Sequence, residues 1–362
     1  MRKVYLVVPT HHIGGAEKRL IKIWLQLYVN HKEQLHLIIS PELQAELLKT
    51  SEFAGLMAAK DSVHTDLITA DATESLNRLK KFADQLDEPA LFHYVLLPPM
   101  IKSSKHKYLY TYPSSSFKKY NIKGLVSTWA GFIAADMLDI LSPTIFRQVK
   151  TYLLWKSKNI HMTPGSFVDF DLYQAGSFSA RRNCVSFVGL LSFEKQADRI
   201  IKQLPELNKR LADMGYTDVS YKLMGRESSD FKVQELMTPE HEGLTLQLGF
   251  EPLPQSVLRS SKVFLSIQQA DNYPSKSLLE AMACGALPIV TDTGNSEMIA
   301  PRKLTEYVPV DFSAEDMAKA CAKIFAMNEA DYLKRVSELK QFVEPRFSIE
   351  ASLNYFKKLY WN

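Results

Sequence analysis

Short apolar runs alternate with amphipathic stretches along the whole chain, the pattern of strands and helices in turn. Val4–Val8 predicts a buried strand, and Ala16–Val29 a helix with Leu20, Ile23, Trp24 and Leu27 on one face. Leu35–Ile39, Val63–Ile68 and Ala90–Val95 read as strands, with Leu43–Leu48 and Leu76–Leu86 as helices between them. Ile101–Lys123 reads as irregular, followed by helical segments at Ala134–Leu141 and Thr144–Trp155 and a strand at Asn159–Met162. The turn Thr163–Gly165 and the polar run Gln174–Arg182 then look like a link.

The second half repeats this grammar. Strands are expected at Val185–Val188, Val219–Met224, Leu244–Leu248, Val263–Ser266 and Leu287–Val290. Helices are expected at Ala197–Leu211, Pro254–Arg259, Lys276–Cys284, Met317–Met327, Tyr332–Phe342 and Ile349–Leu359. Such alternation predicts parallel sheets covered by helices on both faces. The stretch Val263–Ile299 is the most informative, a strand, polar loop, helix and strand in succession. Ser275 stands where it can cap the helix, and Gly285 where it can end it. That places a helix N-terminus at the carboxyl end of a strand, where open α/β sheets bind ligands.

The 362 residues suit two α/β domains, at about 150 residues each. Cys184, Cys284 and Cys321 are scattered, which suggests buried thiols in a reducing compartment rather than disulfides or a zinc framework. MRKVYLVVPT reads as a first strand instead of a signal peptide, and no apolar run reaches the roughly 20 residues of a spanning helix. A cytoplasmic protein is expected.

Charge changes the picture at one place. The net charge is only +4, but Pro98–Gly124 holds six lysines and no acid, with Phe117 and four tyrosines among them. Lys102, Lys105, Lys107, Lys118 and Lys119 form either a solvated loop or a surface for an anionic partner, such as a membrane leaflet, a lipid-linked phosphate or an acidic glycan. No nucleic-acid-binding motif accompanies them, so nucleic acid is not an expected partner.

Four loops carry candidate chemistry. His11–Glu17 (HHIGGAE) follows the first strand, and its glycines Gly14 and Gly15 let backbone amides approach an anion; a plain tight turn is the alternative. It is not the G-x-G-x-x-G pattern of dinucleotide sites. Gly189 and Lys195 follow another strand and could set a cation over a phosphate. Gly225 and Arg226 do the same with a bidentate anion binder. Asp271, Asn272 and Lys276 lie before or on the first turn of a helix that carries Glu280 one turn later, so Lys276 and Glu280 share a face. A nucleotide diphosphate would suit such loops. No Asp-x-Asp dyad stands at a strand end, so neutralisation by Lys, Arg and amides is expected in place of a divalent metal.

With these residues in view, the chain resembles the retaining GT-B glycosyltransferases of family four. GGAEK at Gly14–Lys18 carries the likeness in the first half. In the second half, VGLLSFEKQADRIIKQL, LGFEPLPQSVLRSSKVFLS and SLLEAMACGALPIVTDTGNSEMI are similar to three of the family's segments, the last almost throughout. The resemblance implies two Rossmann-like domains facing each other across a cleft. These would be an acceptor-binding domain at 1–170, a nucleotide-sugar-binding domain at 171–345, and a final helix at 346–362 packing back on the first. It implies transfer of a sugar from a UDP- or GDP-sugar to a glycan or lipid-linked acceptor in bacterial surface polysaccharide or lipopolysaccharide synthesis. No cofactor is implied, and peripheral contact with the inner face of the plasma membrane is. Glu280 matches the family's ribose-binding Glu, Lys195 its diphosphate lysine, and Gly14 and Gly15 its glycine loop. Tyr273, Pro274, Ser275 and Ser277 fall in the donor-binding turn. His93 sits where many members carry a strand-end His near the sugar.

Two departures stand out. The sugar-contacting carboxylate of the family falls on Asn272, or on Asp271 if one residue is inserted, and the Arg of VGRL is Leu190. Arg226 is the candidate to replace that charge. The departures also keep open a catalytically degenerate GT-B module that binds a glycan or a protein.

Overall fold

The computed structural model describes residues 2–12, 14–114, 117, 122–251, 253–271 and 273–362. It divides into two compact units, Met1–Gly165 with Ile349–Asn362, and Ser166–Ser348. In chain order the first unit holds β1 (Val4–Val8), α1 (Gly15–Tyr28), β2 (Leu35–Ile39), α2 (Pro41–Leu47), α3 (Gly55–Ala58), β3 (Val63–His64) and α4 (Ala72–Gln85). It continues with β4 (Leu91–Val95), β5 (Lys107–Tyr112), α5 (Ile122–Ala134), β6 (Met137–Ile140), α6 (Pro143–Tyr152) and β7 (Ile160–Met162). The second holds β8 (Arg182–Val188), α7 (Ala197–Asp213), β9 (Ser220–Met224), β10 (Thr245–Gly249), α8 (Gln255–Ser260) and β11 (Ser261–Ser266). Then come α9 (Lys276–Ala283), β12 (Leu287–Thr291), β13 (Glu306–Val308), α10 (Ala314–Phe325) and α11 (Glu329–Phe347). The last helix, α12 (Ile349–Trp361), belongs to the first unit.

Each unit is built on one parallel sheet, ordered β3-β2-β1-β4-β5-β6-β7 in the first and β10-β9-β8-β11-β12-β13 in the second. In both, the chain winds one way from a central strand and then reverses, at β1/β4 and at β8/β11. Ligand crevices of such sheets open at that reversal, outside the carboxyl ends of the strands.

Several elements differ from the sequence expectation. Val63–Ile68 forms strand only at Val63–His64. The stretch read as irregular contains β5, a strand within the sheet whose Tyr108, Tyr110 and Tyr112 are buried. Its β-favouring residues are masked in sequence by the lysines around them. The helix expected at Ala134–Leu141 is β6, because Asp139 interrupts the apolar run that would have marked a buried strand. α5 and β13 were not foreseen at all.

In the first unit, register sets a row of rings across the sheet. Tyr5 pairs with His36 and Phe92, and Phe92 with Tyr108. The rings follow, with centroids 4.7 Å apart for Tyr5–His36, 5.0 Å for Tyr5–Phe92 and 5.7 Å for Phe92–Tyr108. Cross-strand stacking of this kind is the unit of sheet stabilisation.

α12 is attached to this unit through a buried polar chain. Tyr355 Oη donates to Asp139 Oδ1 at 2.6 Å, and Thr111 Oγ1 donates to Asp139 Oδ2 at 2.7 Å. Thr111 must then accept from His93 Nε2–H, 2.6 Å away. That leaves His93 Nδ1 to accept from the Tyr360 hydroxyl at 2.8 Å. Every donor points toward Asp139, which is fully buried. Burial raises its carboxyl above the usual range, opposed by the nearby Arg19 charge and by the bonds from Tyr355 and Thr111.

The chain needs a neutral imidazole, and burial pushes His93 down to about 3. Burial, with His64 and Lys3 nearby, likewise pushes His36 down to about 4. Both values lie below the roughly 6.5 of an unfolded histidine, so the unfolded chain binds more protons in that interval. Stability is therefore expected to be complete above about pH 6.5 and to fall as the pH drops toward these folded values. Urea midpoints at pH 7.5 and 5.0 would check this. His36→Phe, which keeps the stack, should flatten part of the loss.

Candidate functional site

The loops named from the sequence in the second unit all leave the carboxyl edge of its sheet. Gly189 and Lys195 follow β8, Gly225 and Arg226 follow β9, and Asp271–Lys276 follows β11; Gly294–Asn295, not named from the sequence, follows β12 at the same edge. The β8 and β11 loops flank the reversal of strand order, and Lys195 Nζ donates across it to Gln268 Oε1 at 2.9 Å. Gln268 is itself fixed: Thr291 Oγ1 both accepts from its N–H and donates to its carbonyl, each at 3.0 Å.

The β8 and β9 loops are locked together at their glycines. Gly189 N–H donates to Met224 O at 2.9 Å, and Leu191 N–H to Arg226 O at 2.8 Å. A Cβ on Gly225 would stand 1.6 Å from the Gly189 carbonyl oxygen, so no side chain fits. Gly225→Ala is expected to destabilise this unit by about 1–3 kcal/mol and to weaken any ligand held by these loops. Gly243→Ala, where a Cβ meets nothing within 4 Å, should be near neutral in the same unfolding assay.

Ser275 occupies the N-cap position of α9 as expected, but its side chain makes no capping bond. The first-turn N–H groups are thus without a side-chain cap, as an external anion requires. One turn on, Glu280 is only 6% exposed. Its Oε1 lies 3.4 Å from Lys276 Nζ, while Oε2 has no hydrogen-bond partner among the described residues. A buried carboxylate with an open oxygen suits a ligand hydroxyl that donates. Tyr273 and Pro274 are buried and shape the turn before α9, and Ser277 is half-buried in its first turn. Arg226 is exposed, with its guanidinium 4.7 Å from the Phe250 ring centroid. Leu190 is 50% exposed in the same region.

Asp271 does not project freely. Its Oδ1 accepts from the N–H groups of Tyr273 and Asn295, both at 3.2 Å, and its Oδ2 accepts from the Asn295 side-chain amide. Gly294 has φ of +49°, and a Cβ there would come within 2.5 Å of Asp271. Asn295 is the residue that sequence reasoning missed. Its signal was its place after Gly294 in SLLEAMACGALPIVTDTGNSEMI, the segment most similar to the family's. Asn272 lies outside the described residues.

In the first unit, Gly14 is the N-cap of α1 and Gly15 its first residue. A Cβ on Gly14 would meet the Glu17 carboxylate, whereas Gly15 has open space. His93 lies mid-strand in β4 with both ring nitrogens engaged, 0% exposed. That is the geometry of a packed histidine and not of a strand-end group facing a ligand. Lys102 donates to Ala134 O at 2.5 Å, and Lys105 donates to Leu86 O. Both lysines therefore tie down carbonyls of their own unit, while Lys107 is exposed. Lys118 and Lys119 lie outside the described residues.

Residues 182–327 match the family model described as Glycosyl transferases group 1. Comparison with curated protein sequences gave no match. Among solved structures, HepE of Anabaena in complex with UDP and glucose superposes with a TM-score of 0.73 at 12% identity, over 99% of both chains. A glycosyltransferase from Rickettsia africae ESF-5 gives 0.71 at 17% identity, over 99% of this chain and 97% of that one. Sucrose-phosphate synthase from Thermosynechococcus elongatus gives 0.67 at 16% identity, over 99% and 98%. The fold is that of GT-B glycosyltransferase structures, α/β with two Rossmann-like domains. The likeness to Glycosyl transferases group 1 thus lies within the second unit. Among the described residues, no helix is long and apolar enough to cross a membrane.

Proposed function

We propose that the chain is a retaining glycosyltransferase of family four that takes a UDP- or GDP-sugar donor and passes the sugar to a glycan or lipid-linked acceptor in surface polysaccharide synthesis. The observation that carries this reading is the open Glu280 oxygen beside the uncapped start of α9, with Lys195 across the strand reversal. Glu280 accepts from the ribose hydroxyls. The diphosphate lies over the first turn of α9, where Lys195 and Arg226 offset the charge that develops on the leaving phosphate. In this reading those groups do the work without a divalent metal, and the leaving phosphate serves as base for the acceptor in a front-face attack. The first unit recognises the acceptor. Residence is cytoplasmic with peripheral membrane contact.

A second reading is a GT-B module that binds without turnover. It is favoured by Leu190 in place of an Arg and by the engagement of both Asp271 oxygens with Asn295. A thermal-shift and hydrolysis screen over a panel of UDP- and GDP-sugars separates the two. Stabilisation by one donor, with nucleotide release on adding an acceptor, supports the enzyme. Stabilisation without release argues against turnover, and no response to any donor or free nucleotide overturns the enzyme and favours the module. Arg226→Ala is expected to weaken donor binding roughly tenfold, the worth of one charge-assisted contact in a partly exposed site; calorimetry on the donor checks it.

A further inference from the structure

A cavity of about 490 Å³ in the first unit is built on the edge of the sheet opposite the candidate loops. Arg2 lies just before β1, Lys107 opens β5 and Lys158 stands two residues before β7. Lys358, on the last turn of α12, closes the ring of cations, and the half-buried His161 lines the wall. The guanidinium of Arg2 is held in place by the end of α12, Nε donating to Tyr360 O at 2.7 Å and Nη2 to Leu359 O at 3.5 Å. Lys107, Lys158 and Lys358 have no carboxylate within ion-pair distance among the described residues.

The acid on the wall is engaged with other groups. Asp136 Oδ1 is 3.9 Å from Lys102 Nζ, and its Oδ2 accepts from Tyr108 N–H at 2.8 Å. Four cations therefore line one concave space, which favours an anion there. Burial lowers the pKa of His161, so near neutral pH its ring is an uncharged hydrogen-bonding group beside them.

We infer that this cavity binds a ligand bearing a phosphate or diphosphate group, at a site separate from the donor loops of the second unit. The cations take the phosphate oxygens, with Arg2 supplying the planar, pre-positioned group. Two sources share that chemistry, a soluble phosphate compound and the headgroup of an anionic lipid. Leu154 and Trp155, 71% and 75% exposed, lie on the same turn as Lys158 and make the lipid source testable.

The test is calorimetric titration of the whole chain with inorganic pyrophosphate at low ionic strength, for wild type, Lys158→Glu/Lys358→Glu and Lys195→Ala. Both lysines of the double variant are exposed, so folding is retained and near-UV circular dichroism confirms it. Wild type and Lys195→Ala should bind alike at this site, and the double variant at least tenfold more weakly. No binding by wild type, equal binding by the double variant, or loss of all binding in Lys195→Ala would overturn the inference. Co-sedimentation with phosphatidylglycerol vesicles then separates the sources. Wild-type sedimentation that the double variant lacks identifies a lipid headgroup, and pyrophosphate binding without sedimentation identifies a soluble ligand. The outcome is independent of whether a nucleotide sugar is turned over.

Discussion

Glu280→Ala is expected to lower kcat/KM for the nucleotide-sugar donor by about 10- to 100-fold, the worth of one or two hydrogen bonds to a buried charge. The carboxylate sits on α9, 6% exposed, with Lys276 on one oxygen and nothing on the other among the described residues. Ribose hydroxyls are remote from the reacting carbon, so the loss should fall mainly on KM, with kcat less affected. Glu280→Gln, which keeps an acceptor oxygen but not the charge, should lie between. Steady-state kinetics on the donor found by the screen decides it. An unchanged KM for Glu280→Ala would remove this residue from the donor site.

Asp139→Ala is expected to destabilise the first unit by about 3–5 kcal/mol, the cost of breaking a buried charge arrangement by deleting one partner. The deletion strands the hydroxyls of Thr111 and Tyr355, each a buried donor worth about 1–3 kcal/mol when unsatisfied. It also removes the countercharge near the buried Arg19. Since Tyr355 and Tyr360 both lie on α12, the helix should lose much of its hold. Urea unfolding should show an earlier transition for this unit, and hydrogen exchange should quicken along Ile349–Trp361. Tyr355→Phe removes one donor and leaves the carboxylate paired, so its effect should be near 1 kcal/mol. Equal midpoints for Asp139→Ala and wild type would show that the chain contributes nothing.

Legibility in the sequence followed the range of the interactions involved. α7 was readable because Ile200, Leu204, Leu207 and Leu211 repeat at helical spacing, a signal contained within a few turns. β8, β11 and β12 were readable because strands buried on both faces leave largely apolar runs. β5 and β6 were not, since tyrosines, a threonine and an aspartate occupy the interior there, and what makes them suitable lies on other elements. Thr111 is satisfied by Asp139 and His93, and Asp139 by Tyr355, 216 positions away. No window of sequence contains such a pair.

The same reasoning separates the candidate residues. Lys195, Glu280 and the start of α9 were found from strand ends, helix starts and a family resemblance, all of which are local features of the chain. By itself the sequence determined the α/β class, the succession of most elements and the carboxyl-edge loops of the second half. Only the tertiary structure decided that His93 is packed between Tyr360 and Thr111, that Asp271 turns to Asn295, and that Arg2, Lys107, Lys158 and Lys358 surround one cavity. Backbone periodicity reports which face of an element is buried; which polar group meets which is settled by the register of strands and the docking of helices far apart in the chain.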